Sequence, residues 1–350
     1  MSGVFRVGVD GKPLLPPRAG VARYLEGLLA GCAAVPHPDL GLEIVMPEKP
    51  RRTLPWVLWN LQRATSGDHA VFHFPFYYPP LAPRCPVTVA IHDVLVLEHP
   101  EWFPRPLLNP LRHLVPRGAR LAAAVVTGSR CVADVIAERC RIPRERIHLT
   151  GYGVDRARFS APTPERLAEV RLRLALPRPY LLQLGALEPR RGLELSLAAV
   201  ASLRKRDPDL ELVLVGASRA PVPVLRQPLR WARLLEWVED GDLPALYAGA
   251  AAVLAPSRGE GFDLPLLEAL ACGAVVVASD IAVHQEHFAS AVEFFASGDA
   301  EALTEATARV LSDSARATAL RAAGPTLAAG FDWSDVARRH LDLWRQVGRR

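Results

Sequence analysis

The chain has 350 residues, long for one domain and comfortable for two that each bury a core of their own. Half of its residues are hydrophobic and 23% are charged, with no low-complexity tract and no repeat at a solenoid period, which excludes a disordered or a repeat protein. The formal charge of +5 rests almost wholly on arginine, so phosphates and anionic lipids suit it as partners; no basic stripe interleaved with aromatics points to nucleic acid.

In chain order, the opening MSGVFRVGVDG lacks the basic and apolar regions of a signal peptide and reads as a strand. No apolar run approaches the roughly 20 residues of a membrane span, so a soluble, cytoplasmic protein is expected. The strands FRVGVD, LEIVMP, AVFHF, VTVAIHD and AAVVTGS follow in the first half, alternating with amphipathic segments. After a proline-bounded polar stretch with one short helix come YLLQLG, LELVLVG, AAVLAPS and AVVVAS. That alternation predicts an α/β protein with two Rossmann-like, doubly wound domains. The expected boundaries are 1–160, a linker at 161–178, 179–330, and a terminal helix at 331–350 with the apolar stripe Val336, Leu341, Leu343, Trp344 and Val347. Five scattered cysteines without a C-x-x-C pair argue against a disulfide framework and a zinc site.

Ligands of such sheets sit beyond the carboxyl ends of the strands, which directs attention to the loops there. One of them is GEGFDLPLLEALACG, Gly259 to Gly273. Asp263 is a good N-cap, with its carboxylate on backbone N–H groups for about 1 kcal/mol, Pro265 suits the first turn, and Gly273 the C′ position. The start of that helix can hold a phosphate or sugar hydroxyls, while Glu260 and Glu268 can accept from vicinal diols. In ALEPRRG, Arg190 and Arg191 offer the guanidinium forks that match a diphosphate. His92 and Asp93 close the strand VTVAIHD, and Gly20 precedes the first helix. Together these groups fit a nucleotide diphosphate-sugar.

The run PSRGEGFDLPLLEALACGAVVVASD closely resembles the E-x7-E segment of retaining GT-B glycosyltransferases of the family-4 type, mannosyltransferase-like subgroup. AGVARY resembles its glycine-rich first loop, VAIHD its histidine-bearing strand end, QLGALEPRRG its P-R-K-N segment, and VHQEHFASAVEFF its downstream L-P-E stretch, with Glu286 in the matching place. These matches keep the family's order along nearly the whole chain. The resemblance implies two domains facing across a cleft, the last helix crossing back to the first domain, and retaining transfer of a hexosyl or deoxyhexosyl group. It assigns His92 and Glu260 to the reacting sugar and Glu268 to the ribose. Arg190 and Arg191 take the diphosphate, and Gly20, Gly261, Phe262, Asp263 and Leu264 complete the donor site. No cofactor and no metal are implied; the acceptor would be a polysaccharide, a glycolipid or another lipid-linked acceptor, or a small molecule.

Four positions depart from the pattern. Asp263 replaces a glycine, Arg191 a lysine, Tyr152 an asparagine or histidine, and Ala186 a basic residue. Beside a phosphate the Asp263 charge costs several kcal/mol, so Asp263→Gly is expected to tighten donor binding. The same charge favours a rival reading, a non-catalytic protein of this fold that binds a sugar nucleotide or assists a partner transferase. A sugar-nucleotide epimerase would require a different histidine and acid set. The segment between Gly216 and Trp237 is short and proline-rich for one that frames a nucleobase. Asp207 and Asp209 form a D-x-D, read here as a helix-to-strand turn rather than a metal site. The stretches Arg51 to Arg63, with Trp56 and Trp59, and Pro104 to Leu121 are candidates for peripheral membrane contact, although prolines are expected to interrupt a long amphipathic helix in either.

Overall fold

The structure is a computed structural model that describes residues 5–16, 20–47, 61–65, 67–77, 79–176, 179–217 and 229–349. Trp56, Trp59 and the proline-rich run at 218–228 lie outside the described residues. The chain divides into two units, one of residues 1–153 with 331–350 and one of residues 154–330.

The first unit is built on six strands, β1 (Phe5–Asp10), β2 (Leu40–Val45), β3 (Val71–Phe74), β4 (Val87–Ala90), β5 (Ala124–Thr127) and β6 (Ile147–Leu149). They pair in parallel in the order β2-β1-β3-β4-β5-β6. The strands β3, β4 and β5 are buried at every residue, as expected where helices cover both faces of a parallel sheet. The longer helices of this unit are α1 (Gly20–Ala34), α2 (Arg105–Leu121) and α3 (Arg130–Cys140).

Helix α2 corrects one expectation, because it runs unbroken for 17 residues through Pro110 and Pro116. Each proline removes one hydrogen bond from the helix ladder. Leu111, Val115, Gly118 and Ala119 recur on one face and bury it, and that packing outweighs the lost bonds.

The second unit carries β7 (Tyr180–Leu184), β8 (Glu211–Val215), β9 (Ala232–Leu235), β10 (Ala252–Ala255), β11 (Val276–Ser279) and β12 (Glu293–Phe295), again all parallel, in the order β12-β11-β10-β7-β8-β9. Its helices are α4 (Pro164–Arg173), α5 (Leu193–Leu203), α6 (Leu243–Gly249), α7 (Leu264–Ala271), α8 (Ala282–Phe288), α9 (Ala300–Ser312) and α10 (Ser314–Ala328). Residues 154–178, which contain the stretch read as a linker, belong to this unit. Asp207 and Asp209 lie in the turn between α5 and β8, where the Asp207 carboxylate accepts from the Asp209 amide.

The last helix, α11 (Trp333–Gly348), belongs to the first unit. It buries Val336, Leu341, Leu343, Trp344 and Val347. A buried polar chain fastens it: His340 Nε2 meets the Tyr24 hydroxyl of α1 at 2.9 Å, and the Trp344 indole donates to Thr88 of β4 at 3.2 Å. At the rim, Arg345 donates twice to the Asp39 carboxylate, both at 2.8 Å.

Candidate active site

In each sheet the strand order reverses at one place, between β1 and β3 in the first and between β7 and β10 in the second. Loops leaving the carboxyl ends of the strands there diverge and open a crevice. Arg190 and Arg191 come from the loop after β7, and Glu260 and Asp263 from the loop after β10. Sequence-distant groups meet because their strands are neighbours.

Arg190 and Arg191 do not open the α-helix. They occupy a single 3-10 turn, Pro189–Arg191, which the left-handed Gly192 joins to α5. This places both guanidiniums on Glu260: Arg190 Nη1 donates to Oε2 at 2.7 Å, and Arg191 Nη1 lies 2.7 Å from Oε1. Ser257 Oγ donates to the same Oε1 at 2.7 Å. Glu260 is thus a nearly buried carboxylate that accepts from Arg190 and Ser257 and pairs with Arg191. Arg190 also pairs with Glu188 through Nε at 3.0 Å.

Asp263 stands at the N-cap position of α7, but its side chain caps nothing, which corrects the expected arrangement. Its backbone is left-handed, with φ at 80°. Aspartate tolerates that region better than most residues, at a cost of order 1–3 kcal/mol. The carboxylate accepts from Arg191 Nη1 at 3.3 Å and faces His284 Nε2 of α8 at 3.2 Å. Burial alone would push this carboxyl up; the Arg191 guanidinium and then His284 outweigh it and hold the group far below the usual carboxylate range. The helix otherwise follows expectation, with Pro265 in its first turn and Gly273 left-handed just past its end, where its amide donates to Leu270.

Gly185, at φ 131°, lies under Arg191, whose guanidinium would stand 3.4 Å from a Cβ there. Arg191 Nε and Gln183 Oε1 are buried without a protein partner, and both side chains line a cavity of ≈ 20 Å³ together with Ser257 and Asp263. That volume suits one water molecule.

Glu268 is apart from this cluster in its contacts. It is buried within α7, and the Tyr247 hydroxyl donates to it at 3.4 Å. The ring of Phe262 packs against His287 and Phe288, with centroids 4.8 and 5.6 Å away. Gly261 is buried and Leu264 half-buried at the turn into α7.

In the first unit, Gly20 is the first residue of α1, with open space around its Cβ position. His92 follows β4 and has both ring nitrogens engaged: Nε2 donates to the Pro75 carbonyl at 2.9 Å, and Nδ1 accepts from the Tyr152 hydroxyl at 2.6 Å. Burial lowers its pKa to about 4 against the opposing pull of the Pro75 carbonyl, so the ring is neutral at pH 7. Gly128 makes room for Tyr152, since a Cβ there would lie 1.9 Å from its ring. The tyrosine that departs from the family pattern is therefore the residue that fixes the His92 tautomer.

Among the described residues, no group of three or more histidine, cysteine, aspartate or glutamate side chains could hold a metal, and no helix is long and apolar enough to cross a membrane. His284 and Tyr152 were invisible as partners in the sequence, because each meets its partner only through the fold.

The profile described as Glycosyltransferase Family 4 matches residues 20–158, and that of Glycosyl transferases group 1 matches residues 178–313. The chain is similar to O-antigen chain mannosyltransferase B of Escherichia coli, 27% identical over 285 residues that cover 79% of this chain and 74% of that protein. It is also similar to D-inositol 3-phosphate glycosyltransferase of Salinispora tropica, 30% identical over 250 residues, or 65% of this chain and about half (51%) of that protein. Among solved structures, Anabaena Alr3699/HepE in complex with UDP-glucose superposes with a TM-score of 0.75 at 16% identity, over 97% of this chain and 99% of that one.

Proposed function

Because the chain belongs to the group 1, family-4 glycosyltransferases and has their GT-B fold, we propose that it moves a hexosyl or deoxyhexosyl group from a nucleotide diphosphate-sugar to a glycan or lipid-linked acceptor, with retention of configuration. A mannosyl group is the favoured cargo, in line with the mannosyltransferase from E. coli. The observation that carries this reading is the convergence of Arg190 and Arg191 on Glu260 at the crevice between β7 and β10. In the reaction the bond from the anomeric carbon to the diphosphate oxygen breaks, and the electron pair leaves with the diphosphate. Guanidiniums held in place before the bond breaks stabilise that charge without reorganising. Glu260 orients both arginines and accepts from sugar hydroxyls, and Glu268 accepts from the ribose. His92 contributes its Nε2–H by exchanging the Pro75 carbonyl for a donor hydroxyl. The acceptor hydroxyl oxygen forms the new bond to the anomeric carbon and passes its proton to the departing diphosphate oxygen. Neither a protein nucleophile nor a metal is required in this scheme.

Peripheral membrane contact fits helix α2, which exposes Arg105, Arg112 and Arg120 beside Leu107 and Leu121. A cytoplasmic location follows from the use of a nucleotide-sugar. One observation favours the non-catalytic alternative: the two arginines already carry three carboxylates, Glu188, Glu260 and Asp263.

The test is incubation with a panel of sugar nucleotides and glycan acceptors, following nucleotide release and the anomeric configuration of the product. Transfer with retention, cut by about 100-fold or more in Glu260→Gln, is the expected result. Donor binding with no transfer to any acceptor would favour the non-catalytic protein, and an inverted product would overturn the retaining assignment.

A further inference from the structure

His284 is fully buried in α8, with the backbone carbonyl and hydroxyl of Ser279 at Nδ1 and the Asp263 carboxylate at Nε2. Nδ1 lies 2.9 Å from the Ser279 carbonyl, and Nε2 lies 3.2 Å from Asp263 Oδ2. From Asp263 the chain of contacts continues through Oδ1 to Arg191 Nη1 at 3.3 Å, and from that nitrogen to Glu260 Oε1 at 2.7 Å. Ser279 closes the chain from the other side, since its hydroxyl donates to the carbonyl of Ser257, whose own hydroxyl donates to Glu260. Two routes therefore run from the β11–α8 corner to the same carboxylate oxygen.

We propose that His284 is a positioning residue that acts through Asp263 to aim Arg191, so that Asp263 braces the diphosphate-binding arginine instead of touching the donor. The inference rests on the reading of Arg191 as a diphosphate ligand. A guanidinium on a long side chain binds a diphosphate well only when its fork is held in one orientation. Arg191 meets both Glu260 and Asp263 through Nη1. Asp263 in turn has one oxygen on Arg191 and one on His284, so neither carboxylate oxygen is left to the first amides of α7. The left-handed backbone of Asp263 is what separates its carboxylate from those amides. The sign of the Asp263→Gly effect expected from charge alone is thereby reversed: removing the carboxylate also removes the brace.

The test is titration of UDP and GDP into the wild-type protein, Asp263→Asn, Asp263→Gly, His284→Asn, His284→Gln and the Asp263→Asn/His284→Asn double variant, with donor KM and kcat measured in parallel. Asp263→Asn keeps the shape and the tolerance of a left-handed backbone, so it reports on the charge without threatening the fold. We expect roughly tenfold weaker binding in Asp263→Asn, Asp263→Gly and His284→Asn, the scale of one charge-assisted hydrogen bond. The loss should appear in KM more than in kcat. His284→Gln, whose amide can reach the place of Nε2, should recover most of it, a rescue that a merely space-filling role would not produce. The double variant should be no worse than the weaker single one, because both act on one path. Tighter or unchanged binding in Asp263→Asn or Asp263→Gly, or losses that add in the double variant, would overturn the inference. Failure of the wild-type protein to bind either nucleotide would overturn the underlying reading and this inference with it.

Discussion

Glu260 owes its orientation to Arg190 and Arg191 from one turn and to Ser257 from the loop after β10, so its removal should disturb both arginines as well as any ligand. The histidines of the first unit pose the opposite problem, a polar group kept uncharged. Burial lowers His92 and His340 to about 4 and puts His73 well below its ordinary value, with neighbouring histidines adding to the effect on His73. In the unfolded chain each titrates near 6.5. A folded pKa below the unfolded one means that the unfolded state binds more protons in between, so this contribution to stability is complete above about pH 6.5 and is lost as pH falls towards 4. For His340 the loss approaches about 3 kcal/mol. Urea denaturation from pH 7.5 to 4.5 should show the midpoint falling below pH 6.5, and His340→Gln should flatten part of that fall. A midpoint independent of pH would contradict the assignment of neutral, buried rings. The candidates Glu260, Arg190 and Arg191, which the structure brings together, stood out in the sequence because charged side chains in glycine- and proline-rich loops after a strand point to a ligand. His284 did not, since 21 positions separate it from Asp263 and nothing local marks the pair.

At the scale of elements, the nine strands read from the sequence are those with apolar runs, and all but the edge strand β2 lie in the sheet interiors. The three that were missed, β6, β9 and β12, are all edge strands. Their sequences IHL, ARLL and EFF are short and only partly buried, so no continuous hydrophobic run betrays them. Helix α2 was misread for a different reason: proline is a local signal, and the burial of Leu111 and Val115 is not. That account makes a prediction. Pro110 is exposed inside the helix, and alanine there would restore the backbone donor. Allowing for the greater freedom of the unfolded chain, Pro110→Ala should stabilise the protein by about 1–2 kcal/mol. A denaturation midpoint that stays put or falls would show that the proline is needed for packing.

For the molecule as a whole, the terminal helix matters most to the first unit. Trp344 is fully buried in α11 and reaches Thr88 in the centre of the sheet, while Trp333 packs against Gly27 and Gly31 of α1 at distances that leave no space for a side chain there. Trp344→Ala should therefore cost about 3–5 kcal/mol in chemical denaturation; a loss below 1 kcal/mol would mean that the helix is only loosely attached. The central claim, however, concerns the second unit and its arginine pair. Calorimetric titration of a nucleoside diphosphate into the wild-type protein and into Arg190→Ala and Arg191→Ala tests it most directly, with Arg206→Ala, in the turn after α5, as the charge-matched control. The account predicts a loss of affinity of at least about tenfold in each site variant, the worth of one charge-assisted contact, and no change in the control. Equal affinity in all four proteins would contradict it.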